Sequence, residues 1–282
     1  MTTAPLDPLE EWRLPFEERL FVQVARRHLP AFPEKLTIAP RAPRDAAEVA
    51  AIADYYTRMA SHDLFIVQVA ARAIDTLFRD DPHVQLILSR QLGDDGAHAA
   101  AARARVEALT GRDPLPEIAR RVRAHWARVG DLALRDVPGF LAFQWHYELH
   151  ILAKLWIQRK TARIGDAEMR EYGEARIKPD EEWHRVQIVG WWLATRDALP
   201  AGARDALIEQ VLDADDAQQQ RLDTYLHDEY AHVAAVFGAD VTHYRAIYDA
   251  WRREMLVRLT GRATLRPLVA LTAGRAALEA VA

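Results

Sequence analysis

Two segments of the chain pair a carboxylate with a histidine three positions later, a spacing that can hold one metal ion. They are Asp95 with His98, in DGAH, and Glu181 with His184, in EEWH. On an α-helix, side chains at i and i+3 share a face, so each pair can offer one oxygen and one nitrogen to the same ion. Two such pairs, completed by one carboxylate from each of two further helices, form the dinuclear carboxylate site of four-helix bundles.

The distance along the chain identifies the completing carboxylates. With a rise of 1.5 Å per residue, residues about thirty apart lie opposite each other in two antiparallel helices joined by a short turn. Asp63 precedes Asp95 by 32 residues, and Glu148 precedes Glu181 by 33. Both lie in apolar surroundings, where an uncompensated charge is costly.

These observations predict a dinuclear site with six ligands. We expect Asp95 and Glu181 to bridge or chelate the ions, Asp63 and Glu148 to cap opposite sides, and one histidine to anchor each ion. The predicted ligands are Asp63, Asp95, His98, Glu148, Glu181 and His184, and the four carboxylates are also the predicted catalytic residues. Oxygen with some nitrogen suits iron(II) or manganese. The alternative is that arginines pair with these acids.

A third pair with the same spacing, Glu229 and His232, lacks a matched carboxylate, because Arg196 stands 33 positions before Glu229. Together with His227 we interpret it as a surface or interface cluster.

Several other residues flank the predicted ligands. His146 and His150 share a face that is rotated by about 200° from Glu148 on an α-helix, so we expect them to point elsewhere. Tyr147 and Trp183 adjoin ligands; core packing is the simpler interpretation, with tuning of the metals or electron transfer as the alternative.

The segments that must position these residues are rich in strong helix formers. Asp81-Pro82 and Asp166 are predicted helix starts, and Gly111 is a predicted helix end. We expect an all-α, ferritin-like four-helix bundle within a single domain, 1–282. Its core spans about 45–200, with extra helices in 1–40 and 200–282. Pro179 either kinks the fourth long helix or starts a new one. The expected helices lie near 8–27, 45–78, 82–109, 116–129, 138–165, 166–196, 202–236, 240–260 and 264–282.

The amino-acid composition excludes several classes of protein and of binding site. The chain has no cysteine, which excludes disulfides, zinc thiolates and iron–sulfur clusters. With 37 basic and 41 acidic residues, it lacks the basic excess of a nucleic-acid-binding protein. It also lacks an apolar stretch long enough to cross a membrane. The polar, acidic N-terminus is unlike a signal peptide, so we expect a cytoplasmic protein.

Two stretches resemble a known family. GDDGAHAAAARARVEALTG is similar to the second-helix metal motif of the phenylacetyl-CoA epoxidase oxygenase subunits, and EARIKPDEEWHRVQIVGWWLA to their fourth-helix segment, including that of the noncatalytic sister subunit. The likeness covers about residues 45–200. It implies a di-iron oxygenase or oxidase with a ferritin-like core and the six ligands named above. Asp63 and Asp95 stand where the family usually has glutamate.

We therefore expect a non-haem di-iron oxidoreductase that uses dioxygen and an external electron donor. It would hydroxylate, epoxidise, N-oxygenate or desaturate a small organic substrate. The expected state is a homodimer, with a reductase or sister subunit as further partners. Three alternatives stay open: a non-catalytic scaffold subunit of an oxygenase complex, an iron-oxidising or iron-storage protein, and a manganese or mixed iron–manganese oxidase.

Overall fold

The computed structural model describes residues 9–34, 40–237 and 241–272, and these residues form helices and their connections. Within those ranges there is no β-strand, only an isolated bridge between Arg41 and Ile164. The principal helices are α1 (Leu14–His28), α2 (Ala46–Thr76), α3 (Pro82–Thr110), α4 (Leu115–His125), α5 (Val137–Gln144), α6 (Leu152–Thr161), α7 (Ala167–Tyr172), α8 (Lys178–Asp197), α9 (Ala201–Phe237) and α10 (Val241–Thr260).

Side-chain caps set the ends of the helices that carry the predicted site. The carboxylates of Asp45, Asp81 and Asp166 accept hydrogen bonds from free backbone N–H groups at the starts of α2, α3 and α7. Gly111 ends α3 with φ of 68°, a left-handed conformation in which glycine has no steric penalty. The predicted boundaries at Asp81 and Gly111 are confirmed.

The third and fourth long helices are each interrupted by a π-helical turn, which the sequence analysis did not predict. Trp145–His150 separates α5 from α6, and Gly173–Ile177 separates α7 from α8. Pro179 lies in the first turn of α8, directly after the π turn, and the backbone is helical without a break across both. It therefore does not start a separate helix, and a kink at Pro179 stays a prediction.

The π turn around Glu148 is stabilised by side chains from other helices. Arg185 of α8 donates to the carbonyl oxygen of Glu148 at 3.2 Å. Trp251 of α10 donates from its indole nitrogen to the carbonyl oxygen of Leu149 at 2.9 Å. A π turn misaligns the regular i to i−4 ladder, and these two donors tie its carbonyl oxygens to α8 and α10.

Long helices pack together around a core rich in aromatic residues. Helix α2 runs along α3, while α9 packs on α5 and α10 packs on α1 and α6. Buried aromatic side chains fill the space between these layers: Phe21, Phe65, Phe143, Trp145, Trp192 and Trp251. No helix in the described part of the chain is both long and apolar enough to cross a bilayer.

The expected C-terminal helix, 264–282, is wrong for residues 264–272, and residues 273–282 lie outside the described part. Residues 264–272 have no regular secondary structure. Pro267 lacks a donor and disfavours helical geometry in the residue before it. The backbone N–H groups of Val269, Leu271 and Thr272 bond instead to aspartates of α9 and α10, at 2.7–3.0 Å.

Candidate metal centre

Five of the six predicted ligands converge from α3, the π turn after α5, and α8. They form two triads of potential ligand atoms, each within 4.8 Å of one another. One triad is Asp95, Glu148 and His184, and the other is Asp95, His98 and Glu181. Because Asp95 belongs to both, the two candidate ion positions are adjacent.

The ligand atoms are spaced for ions rather than for hydrogen bonds. His98 Nδ1 lies 3.7 Å from Asp95 Oδ1 and 3.8 Å from Glu181 Oε1. His184 Nδ1 lies 3.8 Å from the same Asp95 oxygen and 4.0 Å from Glu181 Oε2. These separations exceed hydrogen-bond lengths, but they suit atoms that would each be about 2.0–2.2 Å from a shared metal ion. The two oxygens of Glu181 face different histidines, as in a bridging carboxylate.

Five of these buried atoms have no hydrogen-bond partner among the described residues. They are Asp95 Oδ1 and Oδ2, Glu148 Oε2, His98 Nδ1 and His184 Nδ1. A single buried polar atom left unsatisfied costs about 1–3 kcal/mol. These five atoms can all direct a lone pair into one region. Cations bound there would compensate the cost of burying them.

Two aspartates from opposite helices orient the histidines. His98 Nε2 of α3 lies 3.2 Å from Oδ2 of Asp180, the residue before Glu181 on α8. His184 Nε2 of α8 lies 3.2 Å from Oδ2 of Asp94, the residue before Asp95 on α3. A carboxylate acceptor at Nε2 favours the tautomer that keeps the Nδ1 lone pair free, which is the usual arrangement around metal-bound histidine.

Arg90 joins these two outer aspartates. Its guanidinium lies 3.2 Å from Asp94 and 3.9 Å from Asp180, and it stacks over the ring of Trp183 at 4.0 Å. Trp183 therefore packs against this cation, and its ring also meets that of His184 edge-on, with 6.0 Å between the centroids. Sequence reasoning missed Asp94 and Asp180, although each immediately precedes a predicted ligand.

Glu148 offers one free oxygen to the centre. Its Oε1 accepts a hydrogen bond from Gln91 Nε2 at 2.8 Å, and Gln91 exchanges amide hydrogen bonds with Gln144 at 3.1 Å. This fully buried amide pair holds the carboxylate so that Oε2 faces His184, at 3.8 Å from Nδ1. Gln91 and Gln144 were also absent from the predicted set.

Asp63, the sixth predicted ligand, belongs to neither triad. Its side chain is buried, at 7% exposure, and it has no hydrogen-bond or ion-pair partner in the described part of the chain. Its charge acts on the centre, because it raises the pKa values of Asp95 and Glu181. Asp63 thus lies beside the two triads, unpartnered, on α2.

Burial and mutual repulsion perturb the carboxyl groups strongly. Burial, followed by the charge of Glu148, raises the pKa values of Asp63, Asp95 and Glu181 well above those of free carboxyl groups. Burial also opposes ionisation of Glu148, but the His184 imidazole, 3.8 Å away, outweighs it and holds the pKa of Glu148 at about 2. Such crowding of acids is costly without a cation.

A cavity of about 460 Å³ opens beside the centre. Asp63 and Glu181 lie on its wall, and 19% of the Glu181 side chain is exposed. Apolar side chains of α2, α6 and α7 form most of the remaining wall, including Ile52, Met59, Leu155 and Met169. A volume in the range of small-molecule sites, about 300–1,000 Å³, therefore adjoins the candidate ions.

A third buried triad, His146, His150 and Asp215, points away from the centre, as expected for the two histidines. His150 Nε2 donates to Asp215 Oδ1 at 3.0 Å, and His146 Nε2 donates to the backbone oxygen of the same residue at 3.0 Å. Arg252 donates twice to the other carboxylate oxygen of Asp215. The charge is already balanced, so this triad is a structural hydrogen-bonded cluster.

The interpretation of Glu229 as a surface or interface residue is wrong. Its side chain is 1% exposed and forms ion pairs with Arg58, at 2.6 Å, and Lys154, at 2.5 Å. Two cations from α2 and α6 compensate its burial and hold its pKa at about 2 despite that burial. His232 lies 3.5 Å from Asp54, and neither residue belongs to a candidate ion site.

Tyr147, which adjoins Glu148, packs in an aromatic group. Its ring stacks on His62 at 4.8 Å, and its hydroxyl lies 2.9 Å from His125 Nδ1. Burial lowers the pKa of His125 well below its usual value, so the imidazole is neutral. Packing thus accounts for both aromatic neighbours of the ligands.

The arrangement as a whole can hold two adjacent, hard to borderline cations beside a cavity that admits a small molecule. Oxygen-rich donors with two imidazoles are those that iron(II) and manganese(II) favour. The chain matches no protein-family model, no curated protein and no solved structure.

Proposed function

We propose that the chain is a ferritin-like, non-haem di-iron oxidoreductase that uses dioxygen to oxidise a small organic substrate. One observation carries the proposal: five unpartnered ligand atoms converge on two adjacent positions that share Asp95. Buried polar atoms without partners are rare in folded proteins, and five in one place indicate a site built for cations.

Each ligand then has a defined task. Asp95 is shared by the two positions, and Glu181 directs one oxygen to each histidine. His98 and His184 bind one ion each, while Glu148 completes the second position through its free oxygen. Asp63 is a further buried carboxylate beside the two positions. Four carboxylates balance the charge of two divalent ions.

Iron in such a site would supply electrons to dioxygen, and an external donor would restore them. The protein contributes the rest: histidine orientation through Asp94 and Asp180, a low-dielectric setting, and the cavity at Glu181. The cavity supports an enzyme over a storage protein, because a small organic molecule has room next to the ions. The resemblance to the phenylacetyl-CoA epoxidase family agrees with this choice.

A scaffold subunit without catalysis is the second candidate. One observation favours it: Asp63 belongs to neither triad, and an aspartate is shorter than the glutamate usual in the family. Loss of one tight ion would leave a bundle that retains its shape but not its redox chemistry.

The test is metal loading followed by dioxygen uptake. Protein freed of metal is incubated anaerobically with iron(II) or manganese(II), and elemental analysis measures the ions retained after gel filtration. We expect about two irons per chain, and dioxygen consumption when air is admitted. Glu181→Ala should lose both, whereas Glu182→Ala should retain both, because the Glu182 carboxylate bonds the Leu14 N–H at 2.8 Å instead of an ion.

Each result decides between the candidates. Metal-free wild-type protein after incubation with iron(II) refutes the proposal and supports the scaffold. Iron binding without dioxygen consumption also refutes the oxidoreductase. Retention of manganese in place of iron, with activity, assigns the site to manganese.

A further inference from the structure

The cavity beside the metal centre differs in character from its inner end to its mouth. Buried Asp63 and partly buried Glu181 lie at the inner end. Arg170 and Glu174 are exposed and lie on the same wall, so they mark the mouth. Between them the surface is predominantly apolar. A ligand that fills the cavity therefore has an apolar body, and its outer end meets charged groups.

Cations outnumber anions in one cluster at that mouth. Glu174 forms an ion pair with Arg159 at 3.0 Å and another with Lys178. Arg170, one helical turn before Glu174, has no ion-pair partner among the described residues. Three cations thus accompany a single carboxylate.

Apart from the acids at the inner end, the other charges along the cavity wall are matched. Lys160 pairs with Glu18, and Asp166 pairs with Arg105 at 2.5 Å. Lys154 pairs with Glu229 at 2.5 Å. The cluster of Arg159, Arg170, Lys178 and Glu174 is therefore where positive charge remains uncompensated.

Arg159 is the member of this cluster best placed to hold a ligand. Its side chain is 28% exposed, and it lies in the cavity wall on α6. Glu174, its ion-pair partner at 3.0 Å, is shared with Lys178. Burial lowers the pKa of the Arg159 guanidinium, and the charge of Glu174 opposes that shift. A second anion at this point would complete its charge and hydrogen bonding, since guanidinium pairs readily with a carboxylate.

We propose that the substrate is an amphipathic carboxylate, an apolar chain or ring system with one carboxylate that binds Arg159 and Arg170. This inference rests on the proposed function. In the metal-free chain the reverse orientation is disfavoured, because the acids at the inner end oppose an incoming carboxylate. The apolar end therefore lies next to Asp63 and Glu181, where the ions would be.

Calorimetric titration of the metal-free full-length chain tests this, with decanoate as the probe and 1-decanol and decylamine as its neutral and cationic analogues. Without metal, a carboxylate cannot bind simply as an ion ligand. We expect decanoate to bind at least about tenfold more tightly than decanol, the effect of one charge-assisted hydrogen bond. Decylamine can pair only with acids, such as Asp63 and Glu181 at the inner end, so its affinity should not fall in Arg159→Gln or Arg170→Gln.

Variants separate the mouth cluster from general charge effects. Arg159→Gln and Arg170→Gln should each weaken decanoate binding by about fivefold or more and leave decanol binding unchanged. Glu174→Gln should strengthen decanoate binding, because it frees two cations. Arg163→Gln, an exposed arginine of the neighbouring connection that does not line the cavity, should have no effect.

Equal affinities for decanoate and decanol, or decanoate binding that is insensitive to Arg159→Gln and Arg170→Gln, overturn the inference. Metal loading is measured separately on the same preparations. Two ions per chain without carboxylate preference refute the inference alone. Carboxylate binding by a chain that takes up no metal refutes the proposed function and leaves the binding site established.

Discussion

Replacing Asp95 with asparagine should stabilise the metal-free protein, the opposite of what most buried substitutions do. Both oxygens of Asp95 are buried without partners, and burial and neighbouring acids raise the pKa of its carboxyl group. Asparagine keeps the shape, removes the charge and brings an amide N–H that can donate to the neighbouring imidazole or carboxylate lone pairs. An unsatisfied buried group costs about 1–3 kcal/mol, so Asp95→Asn should recover roughly that amount.

Bound metal should reverse the order of stability of wild type and Asp95→Asn. Ligand present at about 1,000 times its dissociation constant stabilises the native state by about 4 kcal/mol, but only where the site is intact. Asp95 belongs to both triads, so the variant should lose most of this gain. Without metal, Asp95→Asn should melt higher than wild type, by roughly 2–4 °C per kcal/mol. With iron(II) or manganese(II), wild type should melt higher.

Asp215→Asn is the matched control, since it makes the same chemical change at another fully buried aspartate. Asp215 pairs with Arg252 and accepts from His150, so its loss should destabilise the protein by about 3 kcal/mol with or without metal. The assay is thermal unfolding under anaerobic conditions, with and without metal. A metal-free Asp95→Asn protein less stable than wild type, combined with no metal-dependent gain in wild type, would refute the interpretation of the site.

Three further outcomes are expected. His98→Ala should lower metal content by about one ion per chain, whereas His150→Ala should leave it unchanged; equal losses would contradict the separation of the two clusters. Asp180→Asn should weaken metal affinity by about 10–100-fold in equilibrium titrations, and an unaltered affinity would exclude a role in orienting His98. The raised pKa values of Asp63 and Glu181 stabilise the metal-free protein below the ordinary carboxyl values of 3.8 and 4.5. This stabilisation is lost as the pH rises through the raised pKa values of the folded protein. Metal binding should therefore release protons and weaken as pH falls, measured by calorimetry in buffers of different ionisation enthalpy; no proton release would contradict the shifts.

Spacing alone was sufficient to identify five residues that the structure brings together. Carboxylate and histidine at i and i+3 must share a helix face, and residues about thirty apart must face each other across a short turn. The same local rules placed the N-cap at Asp81 and the left-handed end at Gly111. These features depend on helix geometry and on steric limits within a few residues, which the sequence contains.

Tertiary packing determined the contacts between helices around the site. The residue before a ligand lies about 100° around its own helix, so only the approach of α3 to α8 brings Asp94 to His184 and Asp180 to His98. Likewise, the burial of Glu229 follows from Arg58 and Lys154 on two other helices. The π turn at Glu148 depends on donors from α8 and α10. Partners between helices are set by how the helices pack, and no spacing along one chain segment specifies that.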